Sequence, residues 1–162
     1  LVQAVADLKR DGQQYNLVFI GDGPERKKLA TMVSNYNLQE QVWFYGACYD
    51  EQVNAELVYN ADLCVAPGNV GLTAMHTLMF GCPVVTHDDF RYQMPEFEAI
   101  SPYHTGNFFK RGDQKSLNHV INEWFVVNGN QREYVQDLCY KEIYNQWNPY
   151  FQMKVINEVF NH

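Results

Sequence analysis

Pro67-Gly68-Asn69-Val70-Gly71-Leu72-Thr73 stands between an apolar run and a stretch with helical spacing. Free N–H groups at a helix start carry partial positive charge and suit phosphate. Gly68, Asn69, Val70, Gly71, Leu72 and Thr73 are therefore the candidate phosphate-binding residues. Gly71 would let the backbone approach a ligand closely, and Thr73 adds a hydroxyl. A plain strand-to-helix turn would use the same residues. His76 lies three residues beyond Thr73, on the same helical face. It is either a half-buried histidine bonded to backbone or a ligand for a sugar hydroxyl or a phosphate oxygen.

His87-Asp88-Asp89-Phe90-Arg91-Tyr92-Gln93-Met94-Pro95-Glu96 is a long polar loop after an apolar run. Its candidate site residues are His87, Asp88, Arg91 and Glu96. A histidine beside two aspartates suggests metal, but the spacing fits no standard ligand set, and no metal is expected. A solvated loop is the simpler alternative. Position argues for a site, because this loop leaves the same sheet edge as the glycine loop. Gly21-Asp22-Gly23-Pro24-Glu25-Arg26 invites comparison with the dinucleotide fingerprint G-x-G-x-x-G. Its third position is Arg26, so the close helix–strand packing of that motif is not encoded. The stretch reads as a tight turn, and no cofactor is expected.

These loops need elements to hold them. Leu1, Val2, Val5 and Leu8 predict a helix that ends at Asp11-Gly12. Tyr15–Ile20, Val42–Tyr45, Leu63–Ala66, Pro83–Thr86 and Gly106–Phe109 read as strands. Helices are predicted between them: one from Pro24 with Leu29, Met32, Val33 and Tyr36 inward, one over Asp50–Asn60, and one over Val70–Phe80. The strands are continuously apolar, which predicts a parallel sheet covered on both faces. Ligands of such sheets bind outside the carboxyl ends of the strands. After Asp113 the pattern is helical, with a stop near Asn128-Gly129. Pro149 should bend or break the last helical stretch at Trp147-Asn148.

The chain of 162 residues suits one domain, and no internal repeat or linker divides it. Its formal charge of -7 argues against a general binder of nucleic acid or anionic membrane. Backbone amides can still hold a small anion without net positive charge. Cys48, Cys64, Cys82 and Cys139 form no C-x-x-C pair, so free thiols in a reducing compartment are expected. No apolar run approaches the roughly 18 residues of a membrane span.

Several of these stretches together resemble a family. They are Gly21-Asp22-Gly23-Pro24 with Leu29, Val42-Trp43-Phe44-Tyr45-Gly46, Ala61-Asp62-Leu63-Cys64-Val65-Ala66-Pro67, Gly71-Leu72-Thr73-Ala74-Met75 and Gly81-Cys82-Pro83-Val84-Val85. Their order and spacing resemble the retaining GT-B glycosyltransferases of family four. The likeness is to the C-terminal, nucleotide-sugar-binding domain and runs to about Lys115. The stretch from about 131 to 160 resembles the closing, kinked helix of those proteins.

The resemblance implies an α/β fold: a Rossmann-like parallel sheet with helices on both faces, one half of a GT-B fold. Residues 1–162 would be a single donor-binding domain, a fragment of a longer chain. The first strand of such a domain would lie upstream of Leu1, so the sheet would lack its middle strand. The whole protein would move a sugar from a nucleotide-diphosphate donor to a glycan or lipid-linked acceptor in bacterial surface polysaccharide synthesis. It would retain anomeric configuration and use no metal. The fragment alone would be inactive, since an N-terminal domain would hold the acceptor. The implied place is the cytoplasm, with peripheral association at the inner face of the membrane. No nucleic acid partner is implied.

By the same likeness, the Gly71-Leu72-Thr73 helix start would hold the donor diphosphate. Gly46, Ala47 and Cys48 would carry the base, and the Glu96 loop would end near the donor sugar. Two glutamates common in the family are absent: their positions are Gly68 and His76. His76 would stand in for the ribose-binding one. The family's basic pair would lie upstream, and Arg91 is the local candidate for part of its work. Two rival readings remain open at this point. A nucleotide-sugar epimerase of the same plan would need Asp88 and Asp89 as its carboxylates. A non-catalytic Rossmann-like module would tolerate the missing glutamates.

Overall fold

A computed structural model describes residues 1–160. The apolar positions of α1 (Val2–Arg10) recur at helical spacing, and Val2, Ala4, Val5, Ala6 and Leu8 are buried. Gly12, at φ 85°, turns the chain out of that helix. There follow β1 (Leu17–Ile20), α2 (Arg26–Asn35), β2 (Val42–Gly46), α3 (Glu51–Tyr59) and β3 (Cys64–Val65). Next come α4 (Leu72–Met79), β4 (Val84–His87), 3₁₀ turns at Phe90–Tyr92 and Pro95–Ala99, and β5 (Gly106–Phe109). Three helices close the chain: α5 (Gln114–Asn128), α6 (Arg132–Gln146) and α7 (Pro149–Phe160).

Every strand pairing is parallel, as continuous apolar strands joined by helices require. The described strands form two sheets, ordered β1-β2 and β3-β4-β5. Helix α1 bridges them. Val2, Val5 and Ala6 pack with Val33, Leu38 and Val42 around the first sheet. Ala4 and Leu8 pack with Val85, Phe109 and Leu117 beside the second.

Coverage on both faces holds for only one of the two sheets. In β4, Val84 packs with Leu78, Trp124 and Cys139, while its neighbour Val85 packs with Ala4, Leu117 and Ile121. Successive side chains point to opposite faces, so both faces of that sheet are covered. In β1, Leu17 and Phe19 face the core, but Val18 and Ile20 are 43% and 42% exposed. The apolar run there is buried on one face only.

Two helix starts come later than the pattern predicts. Before α2, the Arg26 N–H donates to Gly23 O (3.1 Å), so Pro24 lies in a turn rather than in the helix. Before α4, Gly71 is neither helical nor extended (φ -140°, ψ -124°), and the helix begins at Leu72 instead of Val70. The break at Pro149 falls where the missing proline N–H demands it. Asn148 there serves both helices: its Nδ2 donates to Ile143 O (3.3 Å) and to Tyr144 O, and its Oδ1 accepts from the Phe151 N–H (3.0 Å). All four cysteines are free. Burial pushes the Cys64 thiol up to about 11 and the Cys139 thiol up to about 12, which keeps both protonated and inert. Among the described residues no helix is long and apolar enough to cross a membrane.

Candidate functional site

The candidate residues lie at the carboxyl ends of β2, β3 and β4, in the strand ends, the loops that follow and α4. The glycine loop after β3 is latched to the loop after β4 by one side chain. Gln93 Oε1 accepts from the Val70 N–H (2.6 Å). Gln93 Nε2 donates to Thr86 Oγ1 (2.9 Å) and to His87 O (2.9 Å). Thr86 is fully buried, and its hydroxyl is shared between Ala66 O (2.9 Å) and Gly68 O (3.1 Å). Met94 N–H closes the same junction on Val70 O (3.2 Å). Neither Gln93 nor Thr86 stands out in the sequence: a glutamine in a polar loop and a threonine ending a strand carry no motif.

This latch sets the start of α4. The Val70 side chain is buried and its amide is committed to Gln93. Gly68, Asn69, Leu72 and Thr73 are exposed. No side chain caps α4, so its first amides keep their partial positive charge outward. A Cβ on Gly71 would stand 3.3 Å from Met94 Cγ, so the half-exposed Met94 side chain would have to give by a few tenths of an ångström. His76 is exposed on the face it shares with Leu72 and Thr73, so the half-buried alternative does not hold.

The loop after β4 is organised mostly by its own polar residues. His87 is buried, and its Nδ1 accepts from the Asp89 N–H (3.2 Å). Asp88 Oδ1 accepts from the Arg111 N–H (3.1 Å). Asp89 binds the guanidinium groups of Arg91 (3.1 Å) and Arg111 (3.2 Å). Hydrogen bonding by Arg91, helped by Arg111, holds the Asp89 carboxyl below the usual carboxylate range, against a smaller opposing push from desolvation. The Arg111 guanidinium also lies 3.9 Å from the centroid of the Tyr92 ring. Arg91 is thus paired with Asp89 within the chain, and Asp88 is held by the Arg111 N–H. Glu96 differs: its Oε2 is buried and has no hydrogen-bond partner.

The loop after β2 is equally well fixed. Gly46 has φ 94° and its carbonyl accepts from the Gly21 N–H (2.7 Å). Asn54 Nδ2 donates to Cys48 O (3.2 Å), and Asp50 caps α3 through the amides of Gln52 and Val53. Ala47 is exposed between them. No three His, Cys, Asp or Glu residues converge as a metal site among the described residues. The assembled chemistry is an uncapped helix start for an anion, a hydroxyl, an imidazole and a carboxylate oxygen awaiting a donor.

A family model described as "Glycosyl transferases group 1" matches residues 1–137. "Protein CapJ" of Staphylococcus aureus is 33% identical over 66 residues, covering 41% of this chain and 17% of that protein. Among solved structures, Anabaena Alr3699/HepE in complex with UDP superposes with a TM-score of 0.73 at 16% identity. That match covers 99% of this chain and 45% of that one. The C-terminal domain of a glycosyl transferase group 1 family protein, LpcC of Francisella tularensis, matches with a TM-score of 0.72 at 17% identity, over 91% of this chain and 77% of that domain. The matches thus cover less than half the length of these whole relatives.

Proposed function

Because the chain belongs to the glycosyl transferases group 1 family, we propose that it is the donor-binding domain of a glycosyltransferase. The whole protein transfers a sugar, with retention, from a nucleotide diphosphate to a hydroxyl of a glycan or lipid-linked acceptor. Bacterial surface polysaccharide synthesis is the proposed setting, at the cytoplasmic face of the membrane. The observation that carries the reading is the uncapped start of α4, built by Gly68–Thr73 at the carboxyl edge of the sheet. There the Leu72 and Thr73 amides face outward and suit a diphosphate. Gly46, Ala47 and Cys48 take the base, and His76 bonds the ribose or a phosphate oxygen. The chemistry asked of these residues is positioning, together with electrostatic stabilisation of the leaving diphosphate. The 162 residues alone carry no acceptor site and are expected to transfer no sugar.

Calorimetric titration of the protein with UDP, GDP and ADP tests the reading. One of the three should bind, and His76→Ala should weaken it by about 1 kcal/mol with an unchanged Tm, as loss of one hydrogen bond from an exposed side chain predicts. Binding of none of them would overturn the assignment.

A further inference from the structure

We propose that a cavity at the amino edge of the second sheet binds a neutral pyranose ring, at a site separate from the start of α4 and independent of the donor-binding reading. The cavity holds about 150 Å³ and opens to solvent between the turns before β3 and β4 and the junction of α5 with α6. Asp62 and Pro83 line it just before β3 and β4, at the strand ends opposite Gly68–Thr73. Helix α4 separates the two regions, since its 8 residues span about 12 Å. Gly81, just past that helix, makes the room. It lies at φ 79°, and a Cβ there would stand 2.9 Å from Tyr140 Oη and 3.0 Å from Gln136 Cγ. With no side chain at 81, Gln136 of α6 sits against the turn and lines the cavity.

The lining selects the ligand. Arg132, the first residue of α6, donates to Asp62 Oδ1 (2.7 Å), Asn60 O (3.4 Å) and Tyr59 O, so its guanidinium is held in place. The Asp62 side chain is still 60% exposed, and one bond leaves a carboxylate most of its acceptor capacity. Gln136 adds an amide that both donates and accepts. Among the described lining residues only Asp62 and Arg132 are charged, and they cancel, so neither an anion nor a cation is favoured. Pro83, Phe125 and Val135 supply apolar surface. A pyranose answers both kinds of lining, with hydroxyls at its edge and C–H groups on its faces. A cavity of this volume takes a six-membered ring, whereas drug-sized ligands occupy roughly 300 Å³ or more. A nucleobase fits less well, because bases are held by stacking on open aromatic faces. Here Trp124 is 2% exposed, and Phe125 already stacks on Tyr15 with centroids 4.6 Å apart.

NMR titration of the amide signals of the protein tests the site, with the methyl α-glycosides of glucose, galactose, mannose and N-acetylglucosamine as probes. At least one should shift the Gly81, Gly129 and Arg132 amides saturably, with a dissociation constant on the order of 1–10 mM. The amides of Gly71, Leu72 and Thr73 should stay in place, and UDP, GDP and ADP should not displace the sugar. Asp62→Asn, at an exposed position, should weaken binding about tenfold. Gln136→Leu, which keeps the bulk and loses both polar atoms, should weaken it by a similar factor. Four results would overturn the proposal: no glycoside shifting the Gly81 and Gly129 signals, shifts confined to Gly71–Thr73, unchanged affinity in both variants, or adenosine or uridine binding there more tightly than any of the sugars. Failure to bind any nucleoside diphosphate would overturn the donor-binding reading and leave this site intact, so the two can fail separately.

Discussion

The two sheets are made of similar residues and are buried differently. Leu17-Val18-Phe19-Ile20 and Val84-Val85-Thr86-His87 are both short parallel strands of mostly branched side chains. The first alternates between half-buried and exposed, and the second is buried throughout. The difference comes from neighbours. Strand β4 has a strand on each side and helices on both faces, whereas β1 pairs with β2 alone and packs on α1 and α2 through one face. Apolar strand composition therefore reports the burial a sequence is suited to. Whether that burial is realised depends on the layers around it.

The sharpest way to break this contrast is a methyl group at equivalent glycines. A Cβ on Gly106, in β5, would lie 1.8 Å from Val84 O and 2.9 Å from Ile100 Cγ2. Backbone and a packed core residue would both have to shift, so Gly106→Ala should cost roughly 4 kcal/mol or abolish soluble expression. Gly46, in β2, would meet only the Arg26 guanidinium at 3.7 Å. Its cost is its φ of 94°, so Gly46→Ala should lose about 1–3 kcal/mol. Urea midpoints for the two variants give the comparison, and equal losses would mean that the two sheets are equally constrained.

The second contrast concerns what holds the loops. The β2 loop is fixed by near neighbours, with Asn54 on Cys48 and Asp50 on its own helix start. The glycine loop is held from 23 residues away, by Gln93 on Val70. Gln93→Leu leaves the Val70 N–H without its acceptor and should cost about 1–3 kcal/mol. Nucleotide affinity should fall as well, because the start of α4 loses its anchor. Unchanged affinity in a destabilised variant would show that the latch serves stability alone.

The same distinction explains what could be read from the sequence. Helices α1 and α5, the strand runs, the stop at Gly129 and the break at Pro149 are local patterns, and local patterns are legible. The glycine loop was legible as a strand-to-helix junction because its residue types suffice. The late start of α4 was not, because it depends on a hydrogen bond from a distant glutamine. Nor was the one-sided burial of β1, since an apolar run looks the same whether one face or two find a partner. Glu96 was a candidate from its place in a polar loop and from the family likeness. What singles it out is an oxygen with no donor, and that emerges only once the chain is folded around it.

The finest test of the two-sheet comparison is a matched pair of isosteric changes. Val85 is fully buried, so Val85→Thr places a hydroxyl among Ala4, Leu117 and Ile121. A loss of about 1–3 kcal/mol is expected. Val18 faces water, so Val18→Thr should change stability by less than about 0.5 kcal/mol. If Val18→Thr costs as much as Val85→Thr in thermal or urea unfolding, the exposed face of β1 is covered in solution. The difference between the sheets would then belong to the isolated chain alone. A small effect at Val18 beside a large one at Val85 would show that α1, bridging both sheets, is enough to hold a β-sheet layer that water still reaches from one side.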